Sequence, residues 1–335
     1  MQTYKLDSLT MAWPTDWTVL FGTSRPLILE IGFGQGTFLF HLARKYPEAN
    51  IIGLEISNQC LVKAENTLQR EQVANVRVIH SRAETALNHL FEPSSLWQVH
   101  INFPDPWFKR NHARRRLMQR DTLDALVSRL QPGGELYLAT DILAYAEMSA
   151  ELLQDTPGLD NLFDTPWVDA IPGRVTTKYE ARARAEGRDC HYFAYRCNNL
   201  PAPDVPVIKD LEMPHLVFTT PLSLETMAQR FEPFKHSEGD IHVGFSAVFR
   251  GEHTLLFEIH VNEPTINQHT ALLLTQRYGA EKTYTLQMGT FGHPRPTQGM
   301  HIAVSTLGNW LLSLHHEAQV VSQKVQALSS ADQGH

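Results

Sequence analysis

Six consecutive residues, Asn102-Phe103-Pro104-Asp105-Pro106-Trp107, set a carboxylate between two prolines and follow it with an aromatic ring. Proline fixes φ, so Asp105 is held in place with little entropy left to lose when a ligand arrives. A carboxylate presented this way matches the paired N–H donors on the Watson–Crick edge of guanine. It would also favour a positive charge that develops on a bound base as it reacts. Where the attacking ring nitrogen already carries a lone pair, as guanine N7 does, no strong base is needed and the catalytic task is alignment. Asp105 is therefore the candidate catalytic residue. Trp107 has two roles open to it, stacking on a base or packing beneath the loop. Next come Lys109, Arg110, Arg114, Arg115, Arg116 and Arg120, with no acid between Lys109 and Arg120. A solvated helix face usually mixes both signs of charge. This run is of one sign beside a reactive loop, so Arg110, Arg114, Arg115 and Arg116 are expected to meet an RNA backbone. The net charge of −7 does not suggest such a partner, but clustering outweighs the global sum.

A second motif supplies the cofactor. An apolar strand with Glu30 near its end runs into Gly32, Gly34 and Gly36 and then into a helical stretch. Glycines at alternate positions let the chain turn sharply and let a ligand touch backbone. A dinucleotide fingerprint would place its third glycine where Thr37 stands, so the spacing favours a cofactor without a pyrophosphate, S-adenosylmethionine. Glu55 ends the next strand at the distance where a carboxylate commonly takes both ribose hydroxyls. The bland alternative is that the glycines only make a tight strand-to-helix turn.

The loop from Asn102 to Lys109, with Arg114-Arg115-Arg116 after it, resembles the signature of the bacterial tRNA (guanine-N7)-methyltransferase family. Ala139-Thr140-Asp141 and Arg174-Val175-Thr176-Thr177-Lys178-Tyr179-Glu180 extend the likeness, which covers roughly residues 20–198. The resemblance implies methyl transfer to a guanine in the tRNA variable loop. It implies cofactor contacts at Glu30, Gly32, Gly34, Gly36, Glu55 and the position of Arg82, with Asp105 beside them. It implies substrate contacts at Lys109 and Asp141, and closure of Thr177, Lys178 and Glu180 over the target base. The chain departs from the family's pattern at Arg82, where an acid or Asn is usual, at Ile142 in place of Trp, and at Val175 in place of Pro. The residues themselves leave Asp141 a second role, as N-cap of a helix over 143–153.

These residues need elements to position them. Apolar runs at 27–31, 51–56, 76–80, 96–103, 135–140 and 192–197 read as strands. Helical stretches alternate with them at 37–45, 58–71, 83–90, 112–130 and 143–153, and Pro132-Gly133-Gly134 closes the fourth. This is an α/β pattern, a Rossmann-like, doubly wound, mostly parallel sheet of the class I methyltransferase type. It occupies residues 1–199. Three prolines within 200–207 read as a stiff linker. From 208 to 335 the pattern changes to a small α+β domain: strands at 241–250 and 253–261 around Gly251-Glu252, further strands at 270–277 and 283–291, and a helix over 300–316.

Several classes are excluded. No apolar run suffices to span a bilayer, and the first twenty residues lack a signal-peptide pattern. Cys60, Cys190 and Cys197 have no metal-ligand spacing, which points to a reduced, cytoplasmic protein with no structural metal. In the second domain acids outnumber bases, which disfavours an electrostatic RNA grip, and homo-oligomerisation is an open role for it. His242 and His260 fall on opposite strands of the expected hairpin, where a metal site is imaginable, but histidines on sheet faces are far more often plain polar residues. The competing readings are a class I methyltransferase acting on another RNA or a small molecule, and a non-catalytic RNA-binding scaffold.

Overall fold

The chain opens with a short strand, β1 (Lys5–Asp7), and a short helix, α1 (Trp17–Phe21). Strand and helix then alternate: β2 (Leu27–Ile31), α2 (Thr37–Lys45), β3 (Asn50–Glu55), α3 (Asn58–Glu71), β4 (Val76–His80) and α4 (Ala83–His89). Next come β5 (Leu96–Asn102), α5 (Arg120–Arg129), β6 (Leu130–Thr140), α6 (Leu143–Gln154), β7 (Leu159–Asn161), α7 (Lys178–Ala185) and β8 (His191–Cys197). A computed structural model describes residues 3–107, 116–280 and 282–325. The chain divides into two units, Met1–Ile208 and Lys209–His335.

The first unit is built on one sheet in the order β1-β4-β3-β2-β5-β6-β8-β7, parallel from β1 to β6 and antiparallel at β8 and β7. All five residues of β2 are buried, as expected of a strand with helices over both faces. Strand order reverses between β2 and β5, and there the carboxyl ends of neighbouring strands diverge to leave a crevice. The core beneath it packs Ile28, Leu39, Leu42, Ile51 and Val78 into one cluster.

Two sequence expectations are corrected here. Of the helix expected over 112–130, residues 112–115 lie outside the described residues, 116–119 are not helical, and α5 begins at Arg120 with Gln119 as its N-cap. The Pro132-Gly133-Gly134 run does not close that helix. The chain is already extended from Leu130, and the glycines bulge within β6, where the register slips between Leu96 and Gln98. A Cβ on Gly134 would stand 2.8 Å from the Gln131 carbonyl oxygen, so only glycine fits.

The second unit contains β9 (His215–Thr219), α8 (Leu224–Gln229), β10 (Phe234–Glu238), β11 (Ile241–Arg250) and β12 (Thr254–Asn262). It continues with β13 (Asn267–Gln276), β14 (Thr283–Met288), α9 (Gln298–Ser313) and β15 (Gln319–Lys324). Its seven strands form one antiparallel sheet, β10-β11-β12-β13-β14-β9-β15. One face is apolar, with Phe245, Phe257, Ile259 and Leu286 packed against Ile302, Val304, Leu307 and Leu311 of α9. The expected hairpin is present. Its register sets His242 opposite Asn262 and Gly244 opposite His260, so the two histidines are not cross-strand partners.

Candidate active site

The crevice between β2 and β5 holds a cavity of about 550 Å³ whose walls include Gly32, Gly34, Glu55, Asn102, Asp105 and Asp141. That volume suits a cofactor-sized ligand. Gly32, Gly34 and Gly36 all take left-handed backbone, with φ of 73°, 55° and 81°. A Cβ at Gly36 would press to 2.9 Å from the Phe40 ring, so the turn into α2 requires glycine there. The Glu55 carboxylate accepts from the backbone N–H of Gly34 (2.9 Å), Ile56 (2.8 Å) and Ser57 (2.9 Å). These bonds fix it at the cavity wall, and a carboxylate has lone pairs enough to accept ribose hydroxyls as well.

Glu30 is 1% exposed. Its Oε1 accepts from Asn102 Nδ2 at 3.1 Å, while its Oε2 is buried with no hydrogen-bond partner among the described residues. Burial pushes its pKa up to about 8, against smaller downward pulls from the Asn102 hydrogen bond and the Arg174 charge. It lines a small pocket with Gly32, Gln35, Thr37 and Lys178. A buried carboxyl with one oxygen unmatched is suited to a cationic, donor-bearing group of a ligand, and S-adenosylmethionine carries one. On these observations the residues present fit that cofactor.

Asp105 is exposed at the cavity wall. Its loop is strained on both sides: Phe103 (φ 52°) and Trp107 (φ 42°) hold left-handed conformations that bulky residues seldom adopt. Arg116 helps hold that shape. Its Nε donates to the Pro106 carbonyl at 3.1 Å and its Nη2 to the Trp107 carbonyl at 3.3 Å. Expected at the RNA backbone, Arg116 is spent in this structure on clamping the loop. Lys109, Arg110, Arg114 and Arg115 lie outside the described residues.

Sequence reasoning missed the residue that ties the site together. The Arg174 guanidinium donates to Glu180 Oε2 at 2.6 Å and to Asn102 Oδ1 at 2.5 Å, and lies over the rings of Phe38 and Tyr192. A chain of hydrogen bonds thus runs from Glu30 through Asn102 and Arg174 to Glu180. Thr177 and Glu180 themselves form a capping box at the start of α7: Thr177 Oγ1 accepts from the Glu180 N–H, and Glu180 accepts from the Thr177 N–H. Their side chains shape α7, while Lys178 and Tyr179 line the cavities. Tyr179 also went unread, although Thr-x-x-Glu is a capping signature that sets its neighbours on the first turn.

Two further positions differ from simple expectation. Asp141 lines the cavity and is ion-paired with Arg188. It does not cap α6, whose N-cap is Ile142 with no side-chain cap bond. The Arg82 side chain pairs with Glu84 at 3.3 Å, and the cavity wall at this point is made by Ser81 and Ala83.

A family model described as a putative methyltransferase matches residues 24–193. A tRNA (guanine-N(7)-)-methyltransferase of Thermus thermophilus is 35% identical over 300 residues, 88% of this chain and 92% of its own. The protein of the same name from Syntrophotalea carbinolica is 36% identical over 195 residues, 58% of this chain and 84% of its own. Among solved structures, the 16S rRNA methyltransferase KamB is similar with a TM-score of 0.43 and 14% identity, over 54% of this chain and 92% of that one. An alignment of 300 residues exceeds the first unit, so the likeness to the Thermus protein reaches into the second and does not stop near residue 198. The chain belongs to the tRNA (guanine-N7)-methyltransferase family.

Proposed function

We propose that this chain transfers a methyl group from S-adenosylmethionine to N7 of a guanine in the variable loop of tRNA. The observation that carries the reading is the Glu30–Asn102 hydrogen bond across the crevice, which joins the glycine turn to the loop bearing Asp105. When bound, the cofactor supplies an electrophilic methyl group on a sulfonium centre. Glu30 and the turn at Gly32, Gly34 and Gly36 would hold its amino-acid end, and Glu55 its ribose. With Arg82 paired to Glu84, backbone and small side chains at Ser81 and Ala83 border the remaining end. Asp105 accepts the donors of guanine's Watson–Crick edge and so points N7 at the methyl group. The cofactor held by Glu30, Glu55 and the glycine turn would supply the methyl group to N7, its sulfur keeping the bonding pair. No proton moves; the purine gains a positive charge that the Asp105 carboxylate stabilises. Lys178 and Tyr179 on α7, with Asp141 held by Arg188, border the space for the base.

Lys109, Arg110, Arg114 and Arg115 complete the reading as phosphate contacts. The proposed setting is the cytoplasm, where a tRNA substrate is found; separately, no helix among the described residues is long and apolar enough to cross a membrane. Homo-oligomerisation belongs to the second unit, where the edge strand β15 exposes Val320 and Val321.

Asp105→Ala is expected to lower turnover by roughly 100-fold or more while cofactor affinity changes only a few-fold. The assay is transfer of labelled methyl to bulk tRNA followed by borohydride–aniline cleavage, which reports N7-methylguanine. Full activity of the variant, or methylated RNA that resists cleavage, defeats the reading.

A further inference from the structure

The solvent-facing side of the second unit's sheet carries a cluster with a different chemistry. The register of β12 and β13 sets His260 opposite His269, and Glu258 stands two residues from His260 on the same face. The two imidazoles stack with centroids 3.9 Å apart, and His269 Nε2 lies 2.9 Å from Glu258 Oε1. One donor atom from each of the three residues falls within 4.8 Å of the others. Donors around a tetrahedral zinc ion sit about 2.0–2.2 Å from the metal and hence roughly 3.4 Å from each other. The remaining gap closes by side-chain rotation alone, because both histidines are exposed and Glu258 is half-buried. Two neighbours prepare the place. Ser246 Oγ donates to Glu258 Oε2 at 2.6 Å, the kind of outer hydrogen bond that orients a ligating carboxylate. Gly244, opposite His260, has nothing within 4 Å of where a Cβ would stand, which leaves room for a fourth ligand.

We propose that Glu258, His260 and His269 form a site for a divalent transition metal of the zinc class, with water in the fourth position, clamping β12 to β13. His242 is not a ligand; it stands opposite Asn262, and its Nδ1 lies 2.8 Å from Ser237 Oγ. Without metal the trio is an ordinary cross-strand polar group, worth little to the sheet.

The test uses the tag-free full chain, stripped with a chelator and titrated with zinc chloride by calorimetry. The unfolding temperature with and without zinc and the visible absorption of added cobalt(II) are followed in parallel. The wild type should take up zinc at a site that vanishes in His260→Ala and in His269→Ala, weakens at least tenfold in Glu258→Gln, and persists in His242→Ala. Only proteins with the site should gain thermal stability from zinc and show the intense cobalt bands of tetrahedral coordination. Metal-free melts that match the wild type show that each substitution leaves the fold intact. A wild type with no stoichiometric site, or one retained in the His260→Ala/His269→Ala double variant, overturns the proposal.

Discussion

Glu30 presents the sharpest physical problem in the molecule, a carboxyl removed from water with one oxygen unmatched. Its pKa rises from 4.5 in the unfolded chain to about 8, so the folded protein binds this proton more tightly. The sign follows: the stability from this group is complete below pH 4.5 and is lost as pH climbs through about 8. The ligand-free protein should therefore weaken by a few kcal/mol across that window, and Glu30→Gln should flatten this part of the profile in chemical denaturation. Cofactor binding adds a second readout. A cationic group placed at Oε2 favours the carboxylate, so uptake of S-adenosylmethionine at pH 7 should release close to one proton. Calorimetry in buffers of different ionisation enthalpy counts that proton, and Glu30→Gln should release none. Equal proton counts for both proteins would move the cationic end of the cofactor away from Glu30. The position of Glu30 was legible from its place before the glycine turn; its protonation was not, because burial depends on strands that sequence patterning does not pack.

At the scale of elements, α7 is held by two devices of unequal strength. The capping box is local, and Thr177→Ala should cost about 1 kcal/mol in urea unfolding, with methyl transfer reduced no more than a few-fold. Arg174 is not local. Its partners Asn102 and Glu180 come from β5 and α7, and it is 10% exposed beside a Glu180 that is 5% exposed. Removing it leaves a buried carboxylate and the Asn102 amide short of a partner, so Arg174→Ala should cost about 3 kcal/mol. It should also slow single-turnover methylation more than Thr177→Ala does, because Asn102 anchors the Asp105 loop. Similar turnover in the two variants would separate α7 from the loop. Sequence could show the first device as Thr-x-x-Glu, but not the second, whose residues lie 72 apart in the chain. The same divide explains the elements. Long periodic segments such as α2 and α3 fall where the pattern puts them, whereas β1 and β7, three residues each, are strands only because a neighbour pairs with them. Within the helix expected over 112–130, the amphipathic segment is α5, while residues 116–119 are not helical and Arg116 serves the loop.

For the whole molecule, the proline-rich stretch changes meaning. It reads as a linker because prolines stiffen a chain, yet its far end is bonded to the first unit at Val205, Pro206 and Ile208. Arg129 is fully buried; its Nη1 donates to the Val205 carbonyl at 2.8 Å and its Nε to the Leu87 carbonyl at 2.8 Å. The Ile208 N–H donates to the Asn88 carbonyl at 2.9 Å, and the Ile208 carbonyl lies 3.0 Å from His89 Nδ1. Beyond it, Asp210 pairs with Arg295 and the Leu211 N–H donates to the Pro296 carbonyl within the second unit. The first unit therefore ends at Ile208, not at residue 199. The likeness to the Syntrophotalea protein spans 195 residues, fewer than the first unit holds. A chain ending at Ile208 should fold and methylate tRNA. One ending at Asn199 keeps every residue of the crevice but strips the buried Arg129 charge of its Val205 acceptor. It should lose roughly 2–3 kcal/mol, about one charged hydrogen bond. Urea unfolding midpoints of the two chains decide the matter: equal midpoints would return residues 200–208 to the role of a plain linker.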